Sequence, residues 1–177
     1  ILSDRLGIGL ERRKRTLSIV GTGVGPGTGL TSAGAAAVRA SDLVVGAERM
    51  LQVPEAEGKA SLCEYAPDKI FDYLVHHPEY RRVSLLVSGD VGFYSATRSV
   101  LAKTDPSEYD VELHCGISSV QYLCARAGIP WQDVKLVSAH GKMANIVGEA
   151  RRNGAVFALL NGRTGVTEMC QQLMDYN

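Results

Sequence analysis

The sequence contains no apolar run that approaches the ~18–20 residues needed to cross a membrane as a helix. It also shows no signal-peptide pattern at its beginning. These two absences exclude an integral membrane protein built on apolar helices, and they give no sign of secretion. A soluble, cytoplasmic protein that does not act in a membrane is therefore expected.

Neither sign of charge is in surplus, because 19 lysines and arginines balance 19 aspartates and glutamates. This balance argues against a protein that binds nucleic acid through bulk charge. The four cysteines form no CxxC pair, and no histidine stands at a zinc-ligand spacing from any of them. No metal site is predicted, and scattered cysteines of this kind suit a reducing compartment. A GxxxxGK[ST] phosphate-binding loop is also missing.

What is present is a repeated order of strand, turn and helix, typical of an α/β protein with a parallel sheet. Residues 1–15 end in a basic run and are expected to be a solvated N-terminal leader. An α/β domain is predicted over 16–116 and a second α/β domain, expected to be incomplete, over 117–177. Strands are predicted at 17–20, 43–45, 82–88, 109–114, 134–137 and 155–160, and helices at 30–40, 67–77, from 93 to about 103, 118–127, 143–152 and 165–175.

Three glycine-containing turns follow predicted strands directly, at 21–27, 88–92 and 115–119. The carboxyl ends of parallel strands share one edge of the sheet, and ligands bind there in open α/β folds. Glycine lets backbone amides come close to a ligand because it has no Cβ. The three turns therefore predict one ligand pocket at this edge.

A dinucleotide site is the obvious alternative, and its GxGxxG fingerprint is broken. Counted from Gly21, the third glycine position is occupied by Pro26. The acidic residue expected at the end of the second strand is also misplaced, since Asp42 precedes that strand and Glu48 follows it late. A nicotinamide-dependent oxidoreductase is therefore only a weak alternative.

The motifs, taken in order and spacing, resemble the tetrapyrrole methylases, and within them the branch that methylates C5 of precorrin-6Y or precorrin-7. The resemblance extends over about residues 16–175. It is carried by the segments 25–27, 30–31, 40–45, 87–94, 116–121, 128–131 and 138–141.

The resemblance implies two α/β domains with S-adenosylmethionine bound in the cleft between them. The residues that it implies for cofactor binding are Pro26, Ser88, Gly89, Asp90, Phe93, Ser118, Ser119 and Leu160. Those expected to contact the precorrin are Gly25, Gly27, Arg49, Tyr94 and His140. Arginine is expected at the substrate because a precorrin carries many carboxylates.

No catalytic residue is assigned, because the enamine-like ring carbon of a precorrin is already a nucleophile. Glu48 is not taken as a base. The resemblance further implies a homodimer and a separate decarboxylating C15-methyltransferase subunit as a partner. Two alternatives stay open beside the corrinoid enzyme: a methyltransferase of the same superfamily that acts on RNA or on a modified protein residue, and the oxidoreductase above.

Overall fold

The computed structural model describes residues 13–25, 29–139, 145–160 and 162–175, without the side chains of 163 and 164. The chain divides into two compact units, with the boundary between Ser119 and Val120. The strands are β1 (Arg15–Gly21), β2 (Leu43–Gly46), β3 (Ala60–Cys63), β4 (Arg82–Val87), β5 (Tyr109–His114), β6 (Lys135–Ser138) and β7 (Val156–Leu159). The α-helices are α1 (Ser32–Ala40), α2 (Pro67–His76), α3 (Thr97–Lys103), α4 (Ser119–Ala127), α5 (Ile146–Arg152) and α6 (Gly162–Asp175).

The first unit is built on a five-stranded sheet with the order β3-β2-β4-β1-β5. All of its strand pairs are parallel. From β1 the chain moves to β2 on one side, whereas from β4 it moves to β5 on the other side. The sheet therefore has a topological switch point between the neighbouring strands β1 and β4, and ligands bind outside the carboxyl ends of strands at such a point.

Helices cover both faces of this sheet, which explains the continuous apolar runs of β1, β2 and β4. On one face Ile70 and Leu74 of α2 join Val100 of α3 in a core that includes alternate residues of β1, β2 and β4. On the other face Val38 of α1 packs with the intervening strand residues. The α/β class with a parallel sheet is thus confirmed.

The second unit contains a two-stranded parallel sheet, β6-β7, and the helices α5 and α6 together with most of α4. Ile146 and Phe157 are its buried residues on α5 and β7. Short 3₁₀ turns occur at Pro54–Ala56 in the first unit and Trp131–Asp133 in the second. Among the described helices none is both long enough and apolar enough to span a bilayer.

Helix α4 buries a narrower face than its sequence indicates. The apolar residues at 120, 123, 124 and 127 predict a four-residue buried stripe. That prediction is wrong, since Val120 and Cys124 are buried but Leu123 is 55% exposed and Ala127 is also exposed. Strand β3 was not predicted at all, since its four residues are mostly exposed and it is defined by pairing with β2.

Candidate functional site

The three glycine turns meet at the carboxyl edge of the first unit's sheet, as the sequence predicts. A Cβ atom added to Gly21 would lie 2.6 Å from the carbonyl oxygen of Gly89 and 2.7 Å from the amide nitrogen of Gly116. A Cβ on Gly116 would collide with the same Gly89 carbonyl. The backbones of the three turns therefore touch, and a side chain at Gly21 or Gly116 would force them apart.

Backbone hydrogen bonds join the first turn to the second. Gly23 donates its N–H to the carbonyl of Gly89 at 3.1 Å, and Gly89 donates to the carbonyl of Gly23 at 2.9 Å. Both glycines have positive φ values, 75° and 70°. This left-handed backbone favours glycine, and so the residue type and the bridge between the turns have the same cause.

Asp90 joins the second turn to the third. Its Oδ1 accepts a hydrogen bond from the amide of Gly92 at 2.8 Å, and its Oδ2 accepts one from the amide of Gly116 at 3.0 Å. An ionised carboxylate has about four lone-pair sites, so Asp90 can still accept from a ligand. The structure thus gives Asp90 a role in positioning the turns, and its contact with a cofactor stays a prediction.

Ser88 and Arg49 are brought together although the sequence assigned them to different ligands. The Arg49 guanidinium donates from Nη2 to Ser88 Oγ at 3.1 Å, and both residues are exposed. Arg49 lies in the turn that follows β2, and Ser88 directly follows β4. Since β2 and β4 are adjacent, a cation stands at the same sheet edge as the glycine turns.

Tyr94 has a backbone conformation that is rare for its residue type. Its φ of 46° is the one positive value among the described residues other than glycine. Its ring packs edge-to-face against half-buried Phe93, with 4.9 Å between the ring centroids. Strain of this kind costs roughly 1–2 kcal/mol, and it often occurs where function constrains the backbone.

The third turn ends in a buried serine. Ser118 is 4% exposed and directly precedes α4, whose first residue is Ser119. The Cα of Ser118 lies 3.8 Å from where a Cβ of Gly89 would stand, so Ser118 adjoins the second turn. Leu160 is half-buried and follows β7 in the second unit. Its contact with a cofactor stays a prediction.

Of the predicted substrate residues in the first turn, Gly25 is described, and it is exposed with a φ of 143°. Pro26, Gly27 and His140 lie outside the described residues. Their roles toward cofactor or substrate therefore remain predictions from the sequence.

Asp42, the acid considered for the dinucleotide alternative, accepts hydrogen bonds from the backbone at the start of β4. It precedes β2, at the edge of the sheet opposite the glycine turns, and its Oδ2 accepts from the amides of Arg81 at 3.0 Å and Arg82 at 2.8 Å. Burial alone would raise the pKa of Asp42, but these amide hydrogen bonds and the Arg82 charge outweigh it and hold the pKa below its ordinary value. Asp42 therefore stabilises the sheet and does not lie where a ribose would bind.

A cavity beside the second turn is not indicated by any motif of the sequence. It has a volume of about 170 Å³ and includes Met50, Tyr65 and Tyr94 in its lining. Tyr65 precedes α2 in a segment where no motif was recognised. Its 77% exposure is a property of the folded chain that no spacing rule indicates.

An open parallel sheet with glycine turns joined at its switch point is the arrangement in which α/β proteins bind small ligands at the carboxyl edge. The family model of the tetrapyrrole (corrin/porphyrin) methylases matches residues 16–177. The chain therefore belongs to that family of methyltransferases, and the resemblance stated from the motifs is confirmed.

Relatives with names in corrinoid synthesis are among the similar proteins. The chain is 29% identical over 130 residues to a probable cobalt-precorrin-7 C(5)-methyltransferase of Methanocaldococcus jannaschii, over 72% of this chain and 61% of that protein. It is 28% identical over 159 residues to the cobalt-precorrin-7 C(5)-methyltransferase of Salmonella typhimurium, over 89% and 77% respectively. The chain thus spans about three fifths of the length of the first of these relatives.

Solved structures show the same fold. The precorrin-6Y methylase of Archaeoglobus fulgidus superposes with a TM-score of 0.56 at 20% identity, over 72% of this chain and 66% of that one. The uroporphyrin III C-methyltransferase of Thermus thermophilus gives a TM-score of 0.65 at 19% identity, over 90% and 76%. At these identities the likeness is one of fold.

Proposed function

We propose that this chain transfers a methyl group from S-adenosylmethionine to a ring carbon of a precorrin in cobalamin biosynthesis. C5 of precorrin-6Y or precorrin-7 is the proposed position. The names of the relatives in Methanocaldococcus and Salmonella support the substrate class. The observation that carries the proposal is the contact of the three glycine turns at the switch point of the sheet.

The glycine turns fit a methyl donor of this kind. Gly23 and Gly89 hold the left-handed backbone that joins the first two turns, and the carboxylate of Asp90 keeps lone pairs for an ammonium or a hydroxyl group. We expect Ser88, Phe93, Ser118 and Ser119 to complete the donor site, with Pro26 and Leu160. The bound donor supplies an electrophilic methyl group on a sulfonium.

The protein's own part in the reaction is to align the acceptor carbon and exclude water. The ring carbon is nucleophilic without deprotonation, and its proton leaves after the new carbon–carbon bond has formed. A strong base is therefore not required, and none is assigned. Arg49 is proposed to bind a substrate carboxylate, since it is an exposed cation at the carboxyl edge.

Other parts of the proposal rest on the resemblance alone. These are a donor held in a cleft between two domains, a homodimer and a separate decarboxylating C15-methyltransferase subunit. Substrate contacts by Gly25, Gly27, Tyr94 and His140 belong with them. A cytoplasmic location is proposed from the scattered cysteines and the lack of a long apolar run. A modified protein residue is the second acceptor class, because a diphthine synthase shares the fold with a TM-score of 0.62 at 20% identity.

Calorimetric titration with S-adenosylhomocysteine, with NAD as a control ligand, tests the donor. We expect micromolar binding of S-adenosylhomocysteine alone, and at least tenfold weaker binding in Asp90→Asn. Asp105→Asn is the matched control, because Asp105 accepts the amide of Ser107 at 2.8 Å in the same i, i+2 pattern but precedes β5 at the opposite edge. Tighter binding of NAD, or no binding of S-adenosylhomocysteine, would overturn the proposal.

The acceptor is tested separately by incubating the protein and S-adenosylmethionine with a precorrin-7 preparation. A mass increase of one methyl group, located at C5 by NMR, is the expected result. Binding of S-adenosylhomocysteine without methylation of any precorrin would keep the donor and exclude the corrinoid acceptor.

A further inference from the structure

The cavity beside the second turn lies at the carboxyl ends of β2 and β4. Its volume is about 170 Å³. Its lining includes the buried apolar residues Ile70, Leu85 and Leu86, together with Met50. Tyr65 and Tyr94 stand at its rim, and we call it the tyrosine-rimmed cavity.

The volume limits what the cavity can hold. An engineered protein cavity of ~150 Å³ accommodates benzene. The tyrosine-rimmed cavity is therefore large enough for one five- or six-membered ring with a small substituent. It is too small for a whole tetrapyrrole or a nucleotide, so a large ligand can place only its edge there.

A carboxylate holds the backbone of Tyr65 at the rim. Glu64 Oε1 accepts hydrogen bonds from the amide of Tyr65 at 2.8 Å and from the amide of Ala66 at 3.0 Å. These bonds, first that from Ala66, hold the pKa of Glu64 below its ordinary value, and Lys69 lies 3.5 Å from its other oxygen. The backbone is thus anchored where Tyr65 begins, although its side chain is 77% exposed.

The Tyr65 ring contributes little to the stability of the fold, because it is exposed and buries little apolar area. Its flat face can stack on a flat ligand ring, which gives contact area at a low cost in conformational entropy. Tyr94 also lines the cavity, is 59% exposed and has the unusual φ of 46°. Two such rings at the mouth of one apolar cavity favour a planar, unsaturated ligand.

A positive charge stands beside the mouth. Ser88 lines the cavity, and its Oγ accepts from Arg49 Nη2 at 3.1 Å. A guanidinium has five N–H donors in a planar fork, so Arg49 can bind a carboxylate in two-point fashion while it holds Ser88. The Glu64 carboxylate in the lining is offset by Lys69 and by the two amides.

We infer that the tyrosine-rimmed cavity binds one ring at the edge of the tetrapyrrole, with the carboxylate arm of that ring on Arg49. This inference rests on the proposed function and adds the substrate subsite to it. Seating one acid-bearing ring between Tyr65 and Tyr94 fixes the rotation of the macrocycle, and thereby selects which ring carbon faces the methyl donor.

Absorbance titration with two corrinoids tests the inference: cobyrinic acid, which carries free carboxylates, and cobinamide, in which they are amides. Ala96→Phe fills the cavity from an exposed position, Tyr65→Ala removes a rim ring, and Arg49→Gln removes the charge while keeping a donor for Ser88. Each variant should bind cobyrinic acid about tenfold more weakly than the wild type. Arg49→Gln should bind cobinamide with unchanged affinity. Arg98→Gln, on the exposed surface of α3, is the control and should change neither.

S-adenosylhomocysteine is titrated against the same variants, with thermal melting to confirm that each is folded. The inference is supported if the variants bind S-adenosylhomocysteine with unchanged affinity and bind cobyrinic acid more weakly. Loss of S-adenosylhomocysteine binding in Tyr65→Ala and Ala96→Phe would place the donor in the cavity and overturn the inference. Wild-type affinity of all three variants for cobyrinic acid would also overturn it while leaving methyl transfer intact, whereas no binding of S-adenosylhomocysteine by the wild type would overturn both.

Discussion

At the scale of single residues, the site depends on positions where a side chain is either forbidden or strained. Gly21, Gly89 and Gly116 allow three turns to touch through their backbones. Tyr94 keeps a left-handed conformation that its side chain disfavours. The glycine positions can be tested by adding one methyl group, and Tyr94 can be tested by removing its side chain.

Gly116→Ala should destabilise the first unit by about 1–3 kcal/mol, because the new methyl group overlaps backbone atoms that cannot move independently. Urea unfolding measures the change, and affinity for S-adenosylhomocysteine should fall with it. Gly154→Ala is the control, since a Cβ there meets nothing within 4 Å and the residue has no positive φ. Equal stability of the two variants would contradict the contact between the turns.

Tyr94→Gly should change the free energy of unfolding by less than about 1 kcal/mol, because relief of strain offsets the added freedom of the unfolded chain. Tyr122→Gly, in the body of α4, should lose about 1 kcal/mol, because glycine is unfavourable in a helix. Denaturant titration compares the two variants. A larger loss in Tyr94→Gly than in Tyr122→Gly would show that the φ of 46° carries no strain.

At the scale of secondary-structure elements, the start of α1 is held by one threonine. Thr31 Oγ1 accepts from the amide of Gly34 at 3.2 Å and donates to the carbonyl of Cys115 at 3.3 Å. The N-cap of α1 is thus also a contact to the third glycine turn. The sequence predicts the cap from the residue type, but it does not show the second bond.

Thr31→Ala should cost about 1 kcal/mol of stability, because the amide of Gly34 loses its acceptor. Thr31→Ser keeps the hydroxyl group and should lose less than half as much. Both values come from denaturant unfolding monitored by circular dichroism. If serine were as damaging as alanine, the methyl group and not the cap would be the stabilising part.

The sequence predicts those elements whose signal is local. Strand β4 and helix α1 follow from a continuous apolar run and from a capped, alanine-rich segment. Strand β3 depends on its partner β2, since Leu62 is its one large apolar residue and is only partly buried. The apolar residues at 70, 71, 74 and 75 predict that Val75 lies on the buried face of α2. Val75 is instead 68% exposed, because it lies about 100° around the helix from Leu74.

The candidate site also has features that local sequence predicts and contacts that depend on the fold. Its position follows from turns placed after strands, which is a local pattern. The bonds from Asp90 to Gly116 and from Arg49 to Ser88 join residues 26 and 39 positions apart, and only the strand order brings them together. The sequence therefore predicts the type of site, while the partners of Asp90 and Arg49 required the structure.

At the scale of the whole molecule, acid should weaken the fold through carboxylates whose pKa values are lowered. Asp42 is one of them, through the amides of Arg81 and Arg82. A folded-state pKa below the unfolded one gives stability that is present above the unfolded pKa, and that is lost as the pH falls through the folded value. The loss should therefore begin near pH 4 and continue below it.

Asp42→Asn should be less stable than the wild type at neutral pH and should lose less stability on acidification. Urea midpoints measured between neutral and strongly acidic pH test this slope. Asp133→Asn, which changes an exposed carboxylate of the second unit, should keep the wild-type slope. An identical acid dependence in Asp42→Asn would contradict the role of these hydrogen bonds.

The strand order also determines when each strand can pair during synthesis on the ribosome. β1 emerges first, yet both of its neighbours, β4 and β5, are made later. Until Val87 has left the exit tunnel, β2 and β3 are the only strands of this sheet that can pair as they do in the folded chain. The apolar strand β1 therefore stays unpaired while more than sixty further residues are translated. During this interval β1 is exposed to aggregation, and a chaperone that binds apolar segments would protect it.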